Sequence, residues 1–235
     1  IGEMLSNDKL YEYLTKFGIG TKTGSGLPGE SRGILPKVAD WSGTTAPTVA
    51  FGQGYSLTAM QATSVFATIA NDGVRVSPTV IAGKSDSSGN YTPSATRESV
   101  RVISSDTAAK MRLMMESVVS ANGTAPSAAI PGYRVAGKTG TAQRIDDTCG
   151  CYRGYTASFI GFAPADNPAY VISVTIQDPK GLHWGGYLGG PVFKKVMSFV
   201  LQSKGIAPTG TAVVPYPLTE KQLIAAKKAA SVKTN

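Results

Sequence analysis

Histidine is almost absent from this 235-residue sequence, with His183 the only one. The two cysteines sit one residue apart, in Cys149-Gly150-Cys151. A tetrahedral zinc site takes four ligands, so this set is half of one and no metal is expected. A disulfide across a single residue is open to the pair where glycine permits a tight turn, though its geometry is demanding. Free thiols are the other reading; a disulfide would point to an oxidising compartment. Long apolar runs are missing as well, and no stretch has the length that crosses a bilayer. The opening IGEMLSNDKL has neither the basic start nor the apolar centre of a signal peptide. It also lacks an initial methionine, so Ile1 is expected to be a cut point with more protein before it. Acidic residues are scarce, 15 against 23 Lys and Arg, for a net charge of +8. That balance suits an acidic partner such as a nucleic acid, an anionic lipid or an acidic wall polymer. The basic residues are scattered, however, and no stripe of interleaved aromatic and basic side chains suits single strands, so nucleic acid is not expected as a partner.

What is present is a globular chain. It is 42% hydrophobic with a mean hydropathy of -0.02, and it is long enough to bury a core without staples. Asp8 to Phe17 reads as an amphipathic helix with Leu10, Tyr13, Leu14 and Phe17 on one stripe, stopped by Gly18. The Gly-, Pro- and Thr-rich stretch that follows, to about Pro47, reads as a long surface loop. Thr58-Ala59-Met60-Gln61 has the capping-box pattern and opens a helix to about Ala70, with Met60, Val65, Phe66 and Ile69 as core candidates. Short strands are expected near Val74–Ile81 and Val100–Ile103, separated by a turn-rich segment. Asp106 is a cap candidate for a helix to about Ser120, with Ala108, Met111, Met115 and Val118 inward. Three strands follow, Tyr133–Arg144, Tyr155–Phe162 and Tyr170–Gln177, joined by short turns that predict an antiparallel meander. A last helix is expected from Val192 to about Leu201, with Pro191 at its first turn. This order argues for an α+β fold, an antiparallel sheet covered by helices. Beyond Gly205 the chain reads as a tail outside the core, in which Thr219 to Gln222 repeats the capping-box pattern.

The strongest chemical signal lies in PGYRVAGKTGTAQR, Pro131 to Arg144. In a regular strand, alternation puts Lys138 and Gly140 on one face and Thr139 and Thr141 on the other. A lysine and two threonine hydroxyls make a receptor for a carboxylate. Gly140 lets another backbone come close. A free strand edge pairs with an extended peptide, and one backbone N–H on that edge can point at a carbonyl oxygen that becomes an oxyanion. An ordinary edge strand with a surface lysine would carry the same four letters.

AGKTGTAQR resembles the third active-site motif of penicillin-binding proteins and serine β-lactamases. FGIGTKTGSGLPGE, FGQGYSLTAMQATSVFATIANDG, ASFIGFAPADNPAYVISVTIQDP and GGPVFKKV narrow the resemblance to class B penicillin-binding proteins of the septal, division-specific kind. It runs from about Gly2 to Leu201. The resemblance implies a penicillin-binding, serine β-lactamase-like transpeptidase fold, truncated at its N-terminus, with residues 1–204 the C-terminal portion of the domain and 205–235 a tail with a short helix. It implies a D,D-transpeptidase that cross-links peptidoglycan stem peptides, is acylated by β-lactams, and meets membrane proteins of the division machinery. The site would be extracytoplasmic, with the membrane anchor outside this chain. Lys138, Thr139 and Thr141 would hold the terminal carboxylate of D-Ala-D-Ala or of an antibiotic, beside Gly140, and the Thr141 backbone N–H would complete the oxyanion hole. The cysteine pair would lie beside the acceptor side of the cleft, where the family pattern does not require it.

The family's nucleophile is a serine at a helix start, with a lysine one turn later as its base, and a Ser-x-Asn motif completes the proton network. Both are expected to precede this chain. Ser6-Asn7-Asp8-Lys9 matches Ser-x-x-Lys by letter but lies too close to Lys138, and it more simply caps the following helix. Ser120-Ala121-Asn122 closes a helix before Gly123. Gly24 to Gly29 spells GxGxxG with no apolar strand before it, so a dinucleotide is not expected and no other cofactor is implied. His183 has Asp178 as a possible neighbour only, and Trp184 beside it is a candidate ligand contact on a cleft-edge loop, with a surface aromatic as the equal reading. A carboxypeptidase or β-lactamase relative would need a carboxylate to hold water, for which Glu30 and Glu116 are the candidates. A non-catalytic module that binds β-lactams or muropeptides, or serves as a division scaffold, is the reading from a different class.

Overall fold

The computed structural model describes residues 2–95, 97–146 and 148–210, with 219, 221 and 224. The capping-box reading of Thr219 to Gln222 lies outside the described residues. The first helix, α1 (Asn7–Lys16), starts where Ser6 accepts a hydrogen bond from the Lys9 amide at 3.2 Å. It stops before Gly18, whose φ of +90° favours glycine. Within the stretch expected to be irregular, Thr45–Ala50 forms a short helix, α2. Pro47 falls in its first turn, where the missing N–H costs nothing.

Helix α3 (Ala59–Ala70) carries the expected capping box in full: Thr58 caps the Gln61 amide and the Gln61 side chain returns to the Thr58 amide. Its buried face corrects the sequence reading. Gln61, Ser64, Thr68 and Ile69 are buried, whereas Met60, Val65 and Phe66 are only partly so. The reason is the loop above it. The Gln61 amide nitrogen donates to the carbonyls of Thr21 at 2.8 Å, Arg32 at 2.9 Å and Gly18 at 3.3 Å. A buried glutamine here substitutes for the water that a loop backbone would otherwise need.

Strand β1 (Val74–Val76) stops short of Pro78 and pairs antiparallel with β4 (Ser99–Arg101). Between them, β2 (Gly83–Ser85) and β3 (Tyr91–Pro93) form a hairpin in what read as turns alone. Its turn is built by Asp86, whose carboxylate accepts from the Ser88 and Asn90 amides, each at 2.9 Å. Helix α4 (Ser105–Glu116) is capped by Ser104, one residue before its start. Asp106 is not the cap; it lies in the first turn and pairs with Lys110 at 2.6 Å. The helix ends at Glu116, whose carboxylate turns inward onto Arg134.

The expected meander is present as β5 (Ala136–Asp146), β6 (Cys151–Ala163) and β7 (Tyr170–Gln177), in that order across the sheet. Alternation sends Phe159 to one face and Phe162 to the other. Phe162 and Ala136 pack with Ile69 of α3 and Met115 of α4. Phe159 meets Phe193 edge to face at 4.9 Å, above Met197 and Leu201 of the last helix.

That helix, α5, runs from Gly185 to Ser203 and begins seven residues before the expected start, so Pro191 lies inside it. Four glycines and a proline are poor helix formers. The sheet reverses that preference. A Cβ on Gly185 would collide with the carbonyl oxygens of Gly140 and Ser158, and one on Gly186 with that of Thr124. Gly189 and Gly190 face Phe159 and Ser127 in the same way. Past Gly205 the chain stays attached: Tyr133 donates to the Ile206 carbonyl at 2.6 Å and the Thr209 amide to that of Gly132 at 2.9 Å.

Candidate functional site at the edge of the sheet

Among the described residues β5 pairs with β6 alone, so its other edge carries no strand. The pairing is unbroken from Ala136 to Gln143, with an irregularity only between Gln143 and Ile145. Regular alternation therefore holds through the motif. Lys138 and Gly140 share the face of Ala136, towards α3 and α4; Thr139 and Thr141 share the face that α5 covers.

The Lys138 ammonium is exposed, and it folds along the edge to donate to the Thr139 carbonyl at 2.8 Å, with the Thr139 hydroxyl at 3.4 Å. Partial loss of water against the sheet pushes its pKa below the ordinary lysine value. Among the described residues no carboxylate forms an ion pair with it. The cation is thus held at the strand edge with its charge unneutralised.

Both threonines are braced from behind. The Thr139 hydroxyl lies 3.1 Å from that of Thr124, and the Thr141 hydroxyl accepts from the Gly185 amide at 3.4 Å. Because the Gly185 bond uses a lone pair on Thr141, the Thr141 O–H stays available to donate. The sequence reading missed Thr124 and Gly185. Gly185 was legible only as part of a glycine-rich run, and Thr124 carried no signal. Gly140 has a structural reason as well: a Cβ there would meet the Ser158 hydroxyl on β6.

Trp184 is 59% exposed and immediately precedes α5. Its ring centre is 5.0 Å from that of His183, which stacks on Tyr155 at 4.0 Å and 7°. Tyr155 pairs with Gln143, two residues along β5 from Thr141, so these three rings stand beside the motif. Asp178 is not the partner of His183; it pairs with Lys180 at 2.6 Å, and that ammonium holds its carboxyl below the usual range. Cys149 and Cys151 are joined as a disulfide at the tip of the β5–β6 hairpin.

The remaining candidates have structural work. Ser6 is the α1 cap, and Lys9 pairs with Glu12 at 2.9 Å. Ser120 donates to the Ser117 carbonyl at 2.7 Å just after α4. Glu116 is buried, with both oxygens on the Arg134 guanidinium at 2.6 and 2.9 Å. Glu30 accepts from the Thr23 amide at 2.7 Å, the Thr23 hydroxyl and the Gly24 amide. Those bonds fix the turn spelled GxGxxG, and hydrogen bonding to Thr23 holds the Glu30 carboxyl below its ordinary pKa.

An open sheet edge with one unneutralised cation and two pre-oriented hydroxyls can pair with an extended peptide and bind an anion at its end. That describes an α+β domain with a candidate peptide-binding edge. Its family follows from comparison with known proteins. Residues 1–198 match the model of the penicillin-binding protein transpeptidase domain. Penicillin-binding protein PbpB of Mycolicibacterium smegmatis is 41% identical over 216 residues, covering 88% of this chain and 33% of the relative. Peptidoglycan D,D-transpeptidase FtsI of Escherichia coli is 35% identical over 205 residues, covering 87% of this chain and 33% of the relative. The crystal structure of penicillin-binding protein 3 from Mycobacterium tuberculosis, in complex with ampicillin, superposes with a TM-score of 0.84 at 38% identity, covering 91% of this chain and 49% of that one. The chain belongs to the penicillin-binding protein transpeptidase domain family, and its helices and antiparallel sheet are those of the penicillin-binding fold. It spans about a third of the length of the curated relatives it matches.

Proposed function

We propose that this chain forms the carboxylate-binding wall of a serine-type peptidoglycan D,D-transpeptidase that works in septal wall synthesis. One observation carries the reading: the free edge of β5 bears Lys138, Thr139 and Thr141 in a chain whose residues 1–198 match the transpeptidase domain. Lys138 supplies the charge, and the Thr139 and Thr141 hydroxyls the oriented donors, for the terminal carboxylate of a D-Ala-D-Ala stem peptide or of a β-lactam. The substrate lies as an added strand beside β5 at Gly140, and Trp184 closes one side. The Thr141 backbone N–H donates to the carbonyl oxygen as the serine attack turns it into an oxyanion. The attacking serine and its lysine base belong to a Ser-x-x-Lys outside these residues, since Ser6 is an α1 cap. Attack expels D-alanine and leaves an acyl-enzyme, which the amino group of a second stem peptide resolves into a cross-link. With a β-lactam the ring opens and the acyl-enzyme persists.

Relatives named as peptidoglycan D,D-transpeptidases and the ampicillin complex of the Mycobacterium tuberculosis protein support the substrate and the inhibitor class. The Cys149–Cys151 disulfide supports an extracytoplasmic, oxidising location at the bacterial membrane. Membrane proteins of the division machinery are the proposed partners, on the strength of the septal-type sequence stretches.

A fluorescent penicillin tests the reading. The 235-residue chain alone gives no covalent band, whereas the protein that also carries the Ser-x-x-Lys labels stoichiometrically. In that protein Lys138→Ala slows acylation by about 100-fold. Since the Lys138 pKa is lowered, capture of the carboxylate fades on the alkaline side earlier than it would with an ordinary lysine. Full labelling of the isolated chain would place the nucleophile inside it, and unchanged acylation of Lys138→Ala would remove β5 from the site.

A further inference from the structure

A cavity among the described residues lies away from β5. It has a volume of about 770 Å³ and is lined by the loop at residues 21–24, by Arg75, Ser77, Ile81 and Lys84, and by residues 92–95 with Arg97 and Glu98. No residue of β5, β6 or α5 lines it. Four cations, Lys22, Arg75, Lys84 and Arg97, share this space with one carboxylate, Glu98. Like charges gathered around one concavity repel each other, and a low-dielectric wall focuses their field into the opening.

The two arginines are fixed in place. Arg75 donates through Nε to the Lys16 carbonyl at 2.9 Å, and Arg97 donates to the Thr79 hydroxyl at 2.5 Å and towards the Gly24 carbonyl at 3.5 Å. None of these acceptors is charged. The Arg97 Nε is buried with no acceptor among the described residues. Among the described residues Lys22 and Lys84 have no ion-pair partner. The four cations of the cavity therefore form no ion pair among the described residues.

We propose that this cavity binds a phosphodiester-linked polyol, a linear chain that carries one negative charge per repeat. The cations come from separate chain segments and not from one cluster, which suits anions spaced along a polymer. Arg97 is anchored through one N–H of each Nη, to Thr79 and Gly24, and keeps its other N–H groups for the oxygens of an anion. Ser77 and Thr92 line the same cavity, and their hydroxyls suit the hydroxyls of a polyol. The volume lies within the range of roughly 300–1,000 Å³ that small-ligand sites occupy.

The test is calorimetric titration of the intact protein with a glycerol-phosphate oligomer, beside three probes: inorganic phosphate, an oligoglutamate of equal charge and an uncharged glycerol oligomer. The expected result is saturable binding of the phosphodiester oligomer only, weakened by added salt. The double variant Lys22→Ala/Lys84→Ala removes two exposed cations that brace nothing and weakens binding about tenfold. Lys204→Ala, at the far end of α5, leaves it unchanged. Equal binding of oligoglutamate would make the ligand an acidic peptide and overturn the assignment. Equal binding of inorganic phosphate would overturn the polymer. Binding insensitive to Lys22→Ala/Lys84→Ala would place any site elsewhere. None of these outcomes depends on acylation, so the transpeptidase reading stands or falls separately.

Discussion

Residues 135–203 and residues 18–104 are held by different forces, with α3 of the second region packed on the sheet of the first. The first region is a sheet and a helix joined by apolar packing. Phe159, Phe162, Phe193, Met197 and Leu201 are all fully buried there. The second region has four short strands in two pairs, the scattered buried hydrophobics Ile19, Val49, Ile69 and Val102, and a buried polar set that includes Gln61, Thr68 and Ser25. A loop of this length cannot bury its carbonyls in an apolar core without a partner for each. Gln61 is that partner for three of them. The motif edge is thus mounted on the part of the molecule with a close-packed core, and the basic cavity on the part held by hydrogen bonds.

The sharpest way to break this contrast is to empty one core position on the packed side. Phe193→Ala should cost about 3–5 kcal/mol by chemical denaturation, since the ring fills the space between Phe159 and α5. Gln61→Leu should cost about 2–4 kcal/mol, because it leaves buried loop carbonyls without a donor. Its distinguishing mark is local: amide exchange should rise across residues 18–34 while β5 to β7 stay protected. If both halves loosened together, the contrast would be wrong. Thr124→Val should lower β-lactam acylation of the intact protein about two- to tenfold by releasing the Thr139 hydroxyl, and Thr124→Ser should restore it. The smallest effect is expected at α1. Glu12 lies between Lys16 at 2.5 Å and Lys9 at 2.9 Å, and these hydrogen bonds, Lys16 first, lower its pKa to about 2 from an ordinary 4.5. A depressed carboxyl stabilises above its unfolded pKa and loses that contribution as pH falls. Helical signal from α1 should therefore fade between about pH 4.5 and about 2, with no change in the packed region.

The parts legible in the sequence were those whose signal is local. Alternation in YVISVTIQ located β7 to the residue, and the capping box located the start of α3. Lys138, Thr139, Gly140 and Thr141 could be singled out because a cation and hydroxyls in a strand are chemically conspicuous. The misreadings share one cause. Four glycines and Pro191 argue against a helix when taken alone, but the sheet needs a face without side chains, and α5 supplies it. Gln61 read only as a cap because its other partners lie 29 to 43 residues away. Asp86-Ser-Ser-Gly-Asn had the letters of a hairpin turn, yet its flanking strands of three residues each are too short to show a period.

By itself the sequence determined helices α1, α3 and α4, the antiparallel meander and the four residues of the edge motif, because period, caps and turns act over a few residues. Tertiary structure alone decided which edge of the sheet stays open, which backs Thr139 and Thr141 receive from Thr124 and Gly185, and where four distant cations come together. Those are outcomes of packing, and packing joins residues whose separation along the chain carries no trace of their distance in space.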